Sequence, residues 1–339
     1  MTTRVLFRAD GGSTVGAGHM QRCRALAQAL VSSGANCAFA STPESRAMLP
    51  QDAIRQFSWN DVAPGDNAEA IGRSVGGSVD WLVVDHYGLG DEFERPARRW
   101  AKKIMVVDDV PLRRHDCDLL LDQNQTDEKS WRGLVPPAAA VLAGPRYALL
   151  RREIADAMMD NRHAGSRAVL TLGAADPHHI TERLLPAVKQ ALPPSWTLDV
   201  IAGPANIRCE VLQDMCGKLG AAFHHAPRDL AAIFARASIA ITAGGSTCWE
   251  FAALGVPMVI VVESDDQRKV AATVTGAGAG VPAGDCDRDI EQRLARAVRD
   301  LAADPQRQEQ MSRAGRRLVD GEGPRRVAEV MLASIRKAS

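Results

Sequence analysis

The strongest constraint on the fold is a repeated alternation of short apolar runs with longer amphipathic stretches. Segments such as Met20–Ser32 have helical spacing, and the apolar runs between such segments are bounded by turn residues. This alternation is typical of βα units around a parallel sheet. In the first half of the chain it predicts strands at Arg4–Arg8, Asn36–Ala40, Trp81–Asp85, Ile104–Val107 and Leu119–Leu121.

The alternation stops near the middle of the chain and then restarts. A polar, arginine-rich stretch from Tyr147 to Arg167 precedes the second set of elements. That set has predicted strands at Ala168–Leu172, Leu198–Ala202, Ile239–Thr242 and Met258–Val262, and helices at Ile180–Gln190, Thr247–Leu254 and Gln267–Thr275. The 339 residues are enough for two cores. We therefore predict an α/β protein with two Rossmann-like domains, residues 1–155 and 156–320, whose parallel sheets face each other across a cleft, and a C-terminal helix, 321–339, that crosses back to the first domain.

Charge and cysteine content exclude several classes of function. The 41 basic and 41 acidic side chains balance, so no overall field attracts nucleic acid or anionic lipid. No apolar run is long enough for a membrane helix, and the start of the chain lacks the pattern of a signal peptide. Seven cysteines without metal-ligand spacing indicate free thiols in a reducing cytoplasm. We expect a cytoplasmic monomer that has a small-molecule partner.

The loop after the first predicted strand carries the candidate catalytic residue. It runs from Asp10 to His19 and contains Gly16 and Gly18, which let backbone approach a ligand closely. His19 begins the next helix, where the helix dipole disfavours the imidazolium and keeps a neutral base available. Arg22, three residues on, lies on the same helical face and could hold a phosphate or a substrate oxygen. The alternatives are a capping histidine without chemistry and a surface arginine paired with Asp10.

The loop after the strand Trp81–Asp85 offers a second group of polar side chains at the same edge. Because ligands bind beyond the carboxyl ends of parallel strands, Tyr87 could line a sugar pocket there. In the alternative interpretation Asp85 caps the following turn while His86 and Tyr87 only pack. Asp108 and Asp109, after the next strand, are open to the same two interpretations.

The second half of the chain contains the strongest motif, in which a strand runs into Gly244, Gly245, Ser246 and Thr247 and then a helix carrying Glu250. The glycine amides, the hydroxyls and the helix N-terminus are suited to a diphosphate, and Glu250 could accept ribose hydroxyls. The alternative is an ordinary strand–turn–helix in which Ser246 or Thr247 is the N-cap and Glu250 closes a capping box.

Gln267 stands at the start of another helix, after Asp265 and Asp266. It could touch sugar hydroxyls or the phosphate edge, or it could be a solvated first-turn residue behind an Asp266 cap. The histidine pairs 178–179 and 224–225 diverge along regular backbone and have no carboxylates at ligand spacing, so no metal is expected.

The segment Gly244–Glu250 resembles the nucleotide-binding motif of MurG-like enzymes, which have the GT-B fold and act on UDP-sugars. More narrowly, Arg8–Asp10, Gly16–Arg22, Asp85–Gly88 and Tyr147–Arg151 resemble the UDP-sugar hydrolases of pseudaminic acid biosynthesis. The fold implied is GT-B-like.

The resemblance implies hydrolysis of UDP-2,4-diacetamido-2,4,6-trideoxy-β-L-altropyranose to UDP and free sugar, without metal or cofactor. His19 matches the catalytic histidine of the family, and Glu250 matches the ribose ligand. The remaining residues implied to bind substrate are Gly244 to Thr247 at the diphosphate, Tyr87 near the sugar, and Arg151. One departure is Leu172–Asp176, where such enzymes commonly have a GGSD-like turn.

Two other functions fit the same motifs. A glycosyltransferase would use the same UDP site but admit an acceptor hydroxyl in place of water. A UDP-sugar-binding module without catalysis would keep Glu250 and the glycines but would need no base, which His19 argues against.

Overall fold

The computed structural model describes residues 2–12, 18–49, 51–63, 65–125, 127–159, 165–173 and 175–336. The chain divides into two compact units. Unit 1 comprises the residues up to Arg151 together with those from Glu322 onward, and unit 2 comprises Arg152–Gly321. The domain limits given above stay predictions.

The described part of unit 1 forms a seven-stranded parallel sheet in the order β3-β2-β1-β4-β5-β6-β7. Its strands are β1 (Arg4–Ala9), β2 (Asn36–Ser41), β3 (Ser58–Asp61), β4 (Val79–Asp85), β5 (Ala101–Val107), β6 (Leu119–Asp122) and β7 (Ala140–Ala143). The strand order reverses between β1 and β4, which are direct neighbours. In open α/β sheets such a reversal leaves a crevice at the carboxyl ends, where ligands bind.

Helices cover both faces of this sheet. They are α1 (Gly18–Ser32), α2 (Pro43–Ala47), α3 (Gln51–Ile54), α4 (Ala68–Val75) and α5 (Asp91–Ala97). The buried residues of α1 recur at helical spacing and pack with Phe7 of β1 on one face. Ile71 of α4 and Phe93 of α5 pack with Leu6 on the other face. The alternation of β1 side chains thus separates two cores, and the two faces carry different polar groups at the sheet edge.

Unit 2 repeats the arrangement with a six-stranded parallel sheet among its described residues, in the order β10-β9-β8-β11-β12-β13. The strands are β8 (Arg167–Thr171), β9 (Thr197–Ala202), β10 (Ala222–His225), β11 (Ile239–Ala243), β12 (Met258–Val262) and β13 (Gly280–Asp285). The helices are α6 (Arg152–Ala157), α7 (Ile180–Ala191), α8 (Cys209–Leu219), α9 (Leu230–Ala235), α10 (Thr247–Leu254), α11 (Gln267–Gly276), α12 (Ile290–Ala302) and α13 (Pro305–Leu318). None of the helices that the structure describes is long and apolar enough to cross a bilayer.

The last helix, α14 (Gly323–Arg336), belongs to unit 1 and packs against α1. Met331 is fully buried, and its carbonyl oxygen accepts a hydrogen bond of 3.2 Å from the Trp81 indole in β4. The helix begins at glycine because a Cβ on Gly323 would collide with the backbone carbonyl of Ala148. This segment therefore completes the core of unit 1.

The α/β prediction with two parallel sheets is confirmed, and the strands predicted from apolar runs are all present. Four strands were missed, and all four lie at the sheet edges: β3, β7, β10 and β13. Edge strands have half-exposed residues, so they lack the continuous apolar run of a strand buried on both faces.

Candidate active site

Asp85 is the centre of a polar cluster in unit 1. It is the last residue of β4, lies opposite Ala9 of β1, and has a completely buried side chain. A buried carboxylate is stable only when charged or polar groups satisfy it. Three side chains of α1, from His19, Arg22 and Cys23, contact it. The alternative in which Asp85 only caps the following turn is therefore wrong.

His19 contacts Asp85 through Nδ1, which lies 2.5 Å from Oδ1. Because an ionised carboxylate can only accept, the proton of the neutral ring is on Nδ1, and the Nε2 lone pair can accept a proton. The carboxylate would also stabilise the imidazolium that forms when Nε2 takes that proton. The side chain of His19 is thus bound to Asp85, and a role as general base stays a prediction that this geometry permits.

Arg22 binds the same carboxylate with two parallel hydrogen bonds, Nε to Oδ2 and Nη2 to Oδ1, each 2.6 Å long. It is buried, and the sequence-based alternative of a surface arginine paired with Asp10 is wrong. A bidentate guanidinium fixes both the charge and the orientation of a carboxylate. Arg22 therefore positions Asp85 and, through it, His19.

The electrostatics of the cluster favour a charged Asp85. Burial alone would raise the pKa of this carboxyl, but the Arg22 guanidinium and His19 outweigh burial and hold the pKa well below its ordinary value. Burial and the adjacent Asp85 charge raise the pKa of the Cys23 thiol well above its ordinary range. Cys23 is therefore a neutral donor to the carboxylate, not a nucleophile.

Tyr87 packs edge-on against the His19 ring, with 4.7 Å between ring centroids. Its hydroxyl donates to Asp109 over 2.8 Å, and Asn124 donates to the other oxygen of Asp109 over 2.6 Å. Partial burial and the Asp109 charge raise the pKa of the Tyr87 hydroxyl. The sequence left open whether Asp109 binds a ligand or only caps a turn. The structure shows that it holds Tyr87 beside His19.

A separate polar cluster lies at the other face of the sheet, around Asp10. Its carboxylate is 2.7 Å from Arg8 Nη1 and accepts hydrogen bonds from the Ser45 hydroxyl and the Thr42 amide, and His86 Nε2 is 3.5 Å away. Arg8, Asp10 and His86 line a cavity of about 730 Å³ whose walls include the first turns of α4 and α5. This cavity stands where the strand order reverses.

A third cluster holds the loop after β5. The side chain of His115 is buried between two carboxylates, with Nδ1 at 2.7 Å from Glu94 and Nε2 at 3.0 Å from Asp108. Burial lowers the pKa of His115, but the bonds to Asp108 and Glu94 outweigh it and raise the pKa to about 9. The cluster ties α5 to the segment that precedes Asp109.

We expect this cluster to make stability depend on pH. Since the folded pKa of His115, about 9, is above the unfolded value of about 6.5, its contribution is complete below about pH 6.5 and is lost as pH rises to about 9. The difference between the two pKa values corresponds to roughly 3 kcal/mol in the free energy of unfolding. Urea unfolding from about pH 6 to pH 9 should show this loss in the parent protein. A His115→Gln variant with the same pH slope would contradict it.

The glycine turn of unit 2, Gly244–Thr247, follows β11. The Gly244 amide donates to Val261 and the Gly245 amide to Ala243, so both amides have partners within the fold, and contact of these two residues with a diphosphate stays a prediction. A Cβ on Gly244 would lie 2.6 Å from the Gln267 carbonyl oxygen, whereas nothing lies within 4 Å of one on Gly245. Gly244 is therefore needed for close packing, and Gly245 leaves space beside the turn.

Ser246 is the N-cap residue of α10, which is one of the two positions that the capping alternative allowed, but its side chain makes no capping hydrogen bond. Glu250 lies in the first turn of α10 and is partly buried. The Ser246 hydroxyl is therefore not committed to capping α10.

Gln267, the first residue of α11, closes the neighbouring loop. Its side-chain oxygen accepts from the Glu263 amide over 3.0 Å, and its backbone packs on Gly244. Asp266 is the N-cap residue but makes no side-chain capping bond. Gln267 thus lies directly beside the glycine turn.

The other residues predicted to bind substrate are less informative. Gly18 begins α1, and Gly16 lies outside the described residues. Arg151 is a half-buried residue at the end of the first stretch of unit 1.

No group of three or more potential metal ligands occurs among the described residues. His224 of the second histidine pair is 2.8 Å from Asp199.

Residues 216–322 match the glycosyltransferase family 28 C-terminal domain. This stretch includes the glycine turn, Glu250 and Gln267. The chain is 26% identical over 212 residues to the UDP-2,4-diacetamido-2,4,6-trideoxy-beta-L-altropyranose hydrolase of Campylobacter jejuni, a match that covers 62% of this chain and 73% of that protein. It is 23% identical over 334 residues to the spore coat polysaccharide biosynthesis protein SpsG of Bacillus subtilis, covering 95% and 96%.

Two solved structures illustrate the fold. MurG of Acinetobacter baumannii aligns with a TM-score of 0.64 at 16% identity over 98% of this chain and 99% of that chain. A putative UDP-N-acetylglucosamine 2-epimerase of Listeria monocytogenes aligns with a TM-score of 0.66 at 13% identity over 99% and 98%. The predicted GT-B-like fold class is confirmed, as is the resemblance to a UDP-sugar hydrolase of pseudaminic acid biosynthesis.

Proposed function

We propose that this chain is an enzyme that hydrolyses a UDP-linked diacetamido-trideoxy-hexose at its anomeric carbon, giving UDP and the free sugar for pseudaminic acid synthesis. The observation that carries the proposal is the His19–Asp85 pair, in which a buried carboxylate orients a histidine whose Nε2 can accept a proton. The named activity of the Campylobacter jejuni relative supports the substrate class.

His19 acts as the general base. Its Nε2 takes a proton from a water whose oxygen forms a bond to the anomeric carbon, while the bond from that carbon to the diphosphate oxygen breaks and UDP leaves with the electron pair. Asp85, kept charged by Arg22, stabilises the imidazolium. Attack from the face opposite the leaving group inverts the anomeric configuration.

Unit 2 supplies the nucleotide site in this proposal. The Ser246 and Thr247 hydroxyls and the N-terminus of α10 bind the diphosphate, since a helix N-terminus favours negative charge and Ser246 makes no capping bond of its own. Glu250 accepts ribose hydroxyls, and Gln267 lies close enough to the turn to contact the phosphate edge. The reaction uses no metal or cofactor.

The test is incubation of the purified protein with a panel of UDP-sugars in ¹⁸O-water, without any acceptor. NMR and mass spectrometry should show UDP and free sugar in equal amounts, with ¹⁸O on the sugar and none on UDP, because the bond at the anomeric carbon is cleaved. The anomer formed first should have the inverted configuration. Label on UDP, or no release of sugar, would contradict hydrolysis at that carbon.

A MurG-like glycosyltransferase is the second candidate, and the family 28 match over residues 216–322 favours it. Both activities need the same UDP site, and they differ in what the base activates. UDP release that requires an acceptor alcohol, with the sugar found on that alcohol, would establish the transferase in place of the hydrolase.

A further inference from the structure

Two carboxyl groups flank the glycine turn in unit 2. Strand β11, which leads into the turn, lies between β8 and β12. Asp176 comes after β8 and Glu263 comes directly after β12. Because the carboxyl ends of parallel strands lie at one edge of a sheet, both groups are beside the proposed diphosphate position. Two negative charges there would oppose a diphosphate.

Asp176 is committed to the fold. It is buried, and its two oxygens accept from the amides of Ile180 at 2.8 Å and Thr181 at 2.9 Å, at the start of α7. A carboxylate in this position is stabilised by the helix N-terminus. Asp176 is therefore a fixed negative charge near the turn.

Glu263 is different because one of its carboxyl oxygens lacks such a donor. Its Oε1 is buried and has no hydrogen-bond partner among the described residues. The Glu263 amide donates to the side chain of Gln267, and the backbone of Gln267 packs against Gly244, so the residue is fixed next to the glycine turn. A buried carboxylate oxygen without a donor is costly when it is charged and much less so when the group is protonated.

Burial and the neighbouring charges all raise the pKa of Glu263. Burial is the largest cause that raises its pKa, to about 7, followed by the charges of Asp176 and of Asp266 in its own loop. Cys286, after β13, has a thiol pKa raised mainly by burial, so the thiol is neutral. Arg183 of α7 lies near Cys286, but its guanidinium is bound to Glu291 at 2.5 Å. No described cation pairs with the Glu263 carboxyl.

We propose that Glu263 must be protonated for a diphosphate to bind at the glycine turn, so that nucleotide binding takes up a proton. The inference rests on the proposed function for the position of the nucleotide. A protonated Glu263 can donate its O–H to a phosphate oxygen, whereas the ionised form would repel that oxygen. The nucleotide therefore binds the form of the protein in which Glu263 is protonated.

The affinity for UDP is expected to fall as pH rises. The diphosphate raises the pKa of Glu263 further, so full affinity is present below the pKa of the free protein, about 7, and is lost as pH rises above it. The loss approaches about tenfold per pH unit while the bound form stays protonated. Low pH favours bound UDP, and higher pH favours its release.

The experiment is calorimetric titration of UDP into the full chain from about pH 6 to pH 8, in buffers with different ionisation enthalpies. The amide of Glu263→Gln resembles the protonated acid and does not titrate. The pH dependence that this variant still shows therefore measures the titration of UDP itself. Glu210→Gln, an exposed acid in α8, is the matched control. Glu263→Ala is a second variant, and thermal melts verify that each variant is folded.

The parent and Glu210→Gln should take up nearly one more proton at about pH 8 than Glu263→Gln or Glu263→Ala does, and at that pH Glu263→Gln should bind UDP about tenfold more tightly than the parent. Equal proton uptake and equal pH profiles in all four proteins would overturn the inference while leaving the proposed function intact. Failure of every protein to bind UDP at any pH would overturn the proposed function and this inference with it.

Discussion

Replacing His19 with alanine is expected to lower turnover of the UDP-sugar by about a hundred- to ten-thousand-fold, the usual contribution of a general base. The affinity for UDP should not change, because the residues proposed to bind the nucleotide all lie in unit 2. The measurement pairs steady-state kinetics by NMR with calorimetry of UDP binding. A loss in kcat without a loss in UDP affinity is the signature of a group that acts on the reacting atoms.

The control for this variant is His225→Ala. His225 is an exposed histidine at the end of the edge strand β10, so its loss should change neither turnover nor UDP binding. If His19→Ala kept the turnover of the parent, the general-base role would be wrong. If it lost UDP affinity as well, the change would be structural rather than catalytic.

Replacing Asp85 with asparagine is expected to have the largest effect on stability, about 3–5 kcal/mol in the free energy of unfolding. The variant removes the carboxylate that binds the buried Arg22 guanidinium with two hydrogen bonds and leaves only Asp109, 3.7 Å from Nη1, as a countercharge. It also removes the charged acceptor that fixes His19 Nδ1. Turnover should fall as well, since the imidazolium loses its stabilising charge. Urea unfolding monitored by circular dichroism measures the change in the free energy of unfolding.

Asp80 is a matched control on the same strand. It pairs with Lys102 over 2.8 Å, but the lysine is 65% exposed, so Asp80→Asn should cost no more than about 1 kcal/mol. A double replacement, Asp85→Leu with Arg22→Leu, should be less destabilised than the sum of the two single variants, because no charge is left unpaired. Strict additivity would mean that the two side chains do not interact.

The sequence predicted the central strands well because their signal is local. Strands such as Met258–Val262 are buried on both faces and read as continuous apolar runs. The edge strands of both sheets carry mixed residues, and only the pairing with a neighbour defines them. The glycine turn and the helix after it were also predicted, since strand, glycines and hydroxyls follow one another directly.

The candidate site was only half predictable. The three-residue spacing of His19 and Arg22 indicated a shared helical face, but their common partner, Asp85, is 66 residues from His19 in the chain. A contact of that kind depends on the register of β4 beside β1, which no local pattern encodes. The sequence therefore could not show that Arg22 binds a carboxylate of its own chain, and its contact with substrate stays a prediction.

Glu263 had no signal in the sequence. An acid after an apolar strand is most often a solvated loop residue, and only the structure shows that one of its oxygens is buried without a donor. The same holds for His115, whose two carboxylate partners, Glu94 and Asp108, are 21 and 7 residues away. Buried charge networks are assembled by tertiary packing, so sequence reasoning finds their members but not their partners.

The return of α14 to unit 1 has a consequence for how the protein is made. During synthesis the ribosome must translate all of unit 2 before it produces the helix that covers the Trp81 side of the first core. Unit 2 is continuous in the chain and can fold as it emerges, whereas the nascent unit 1 has to wait with an incomplete apolar surface. Chaperone dependence and sensitivity to protease should therefore be greatest in nascent chains that stop short of Glu322.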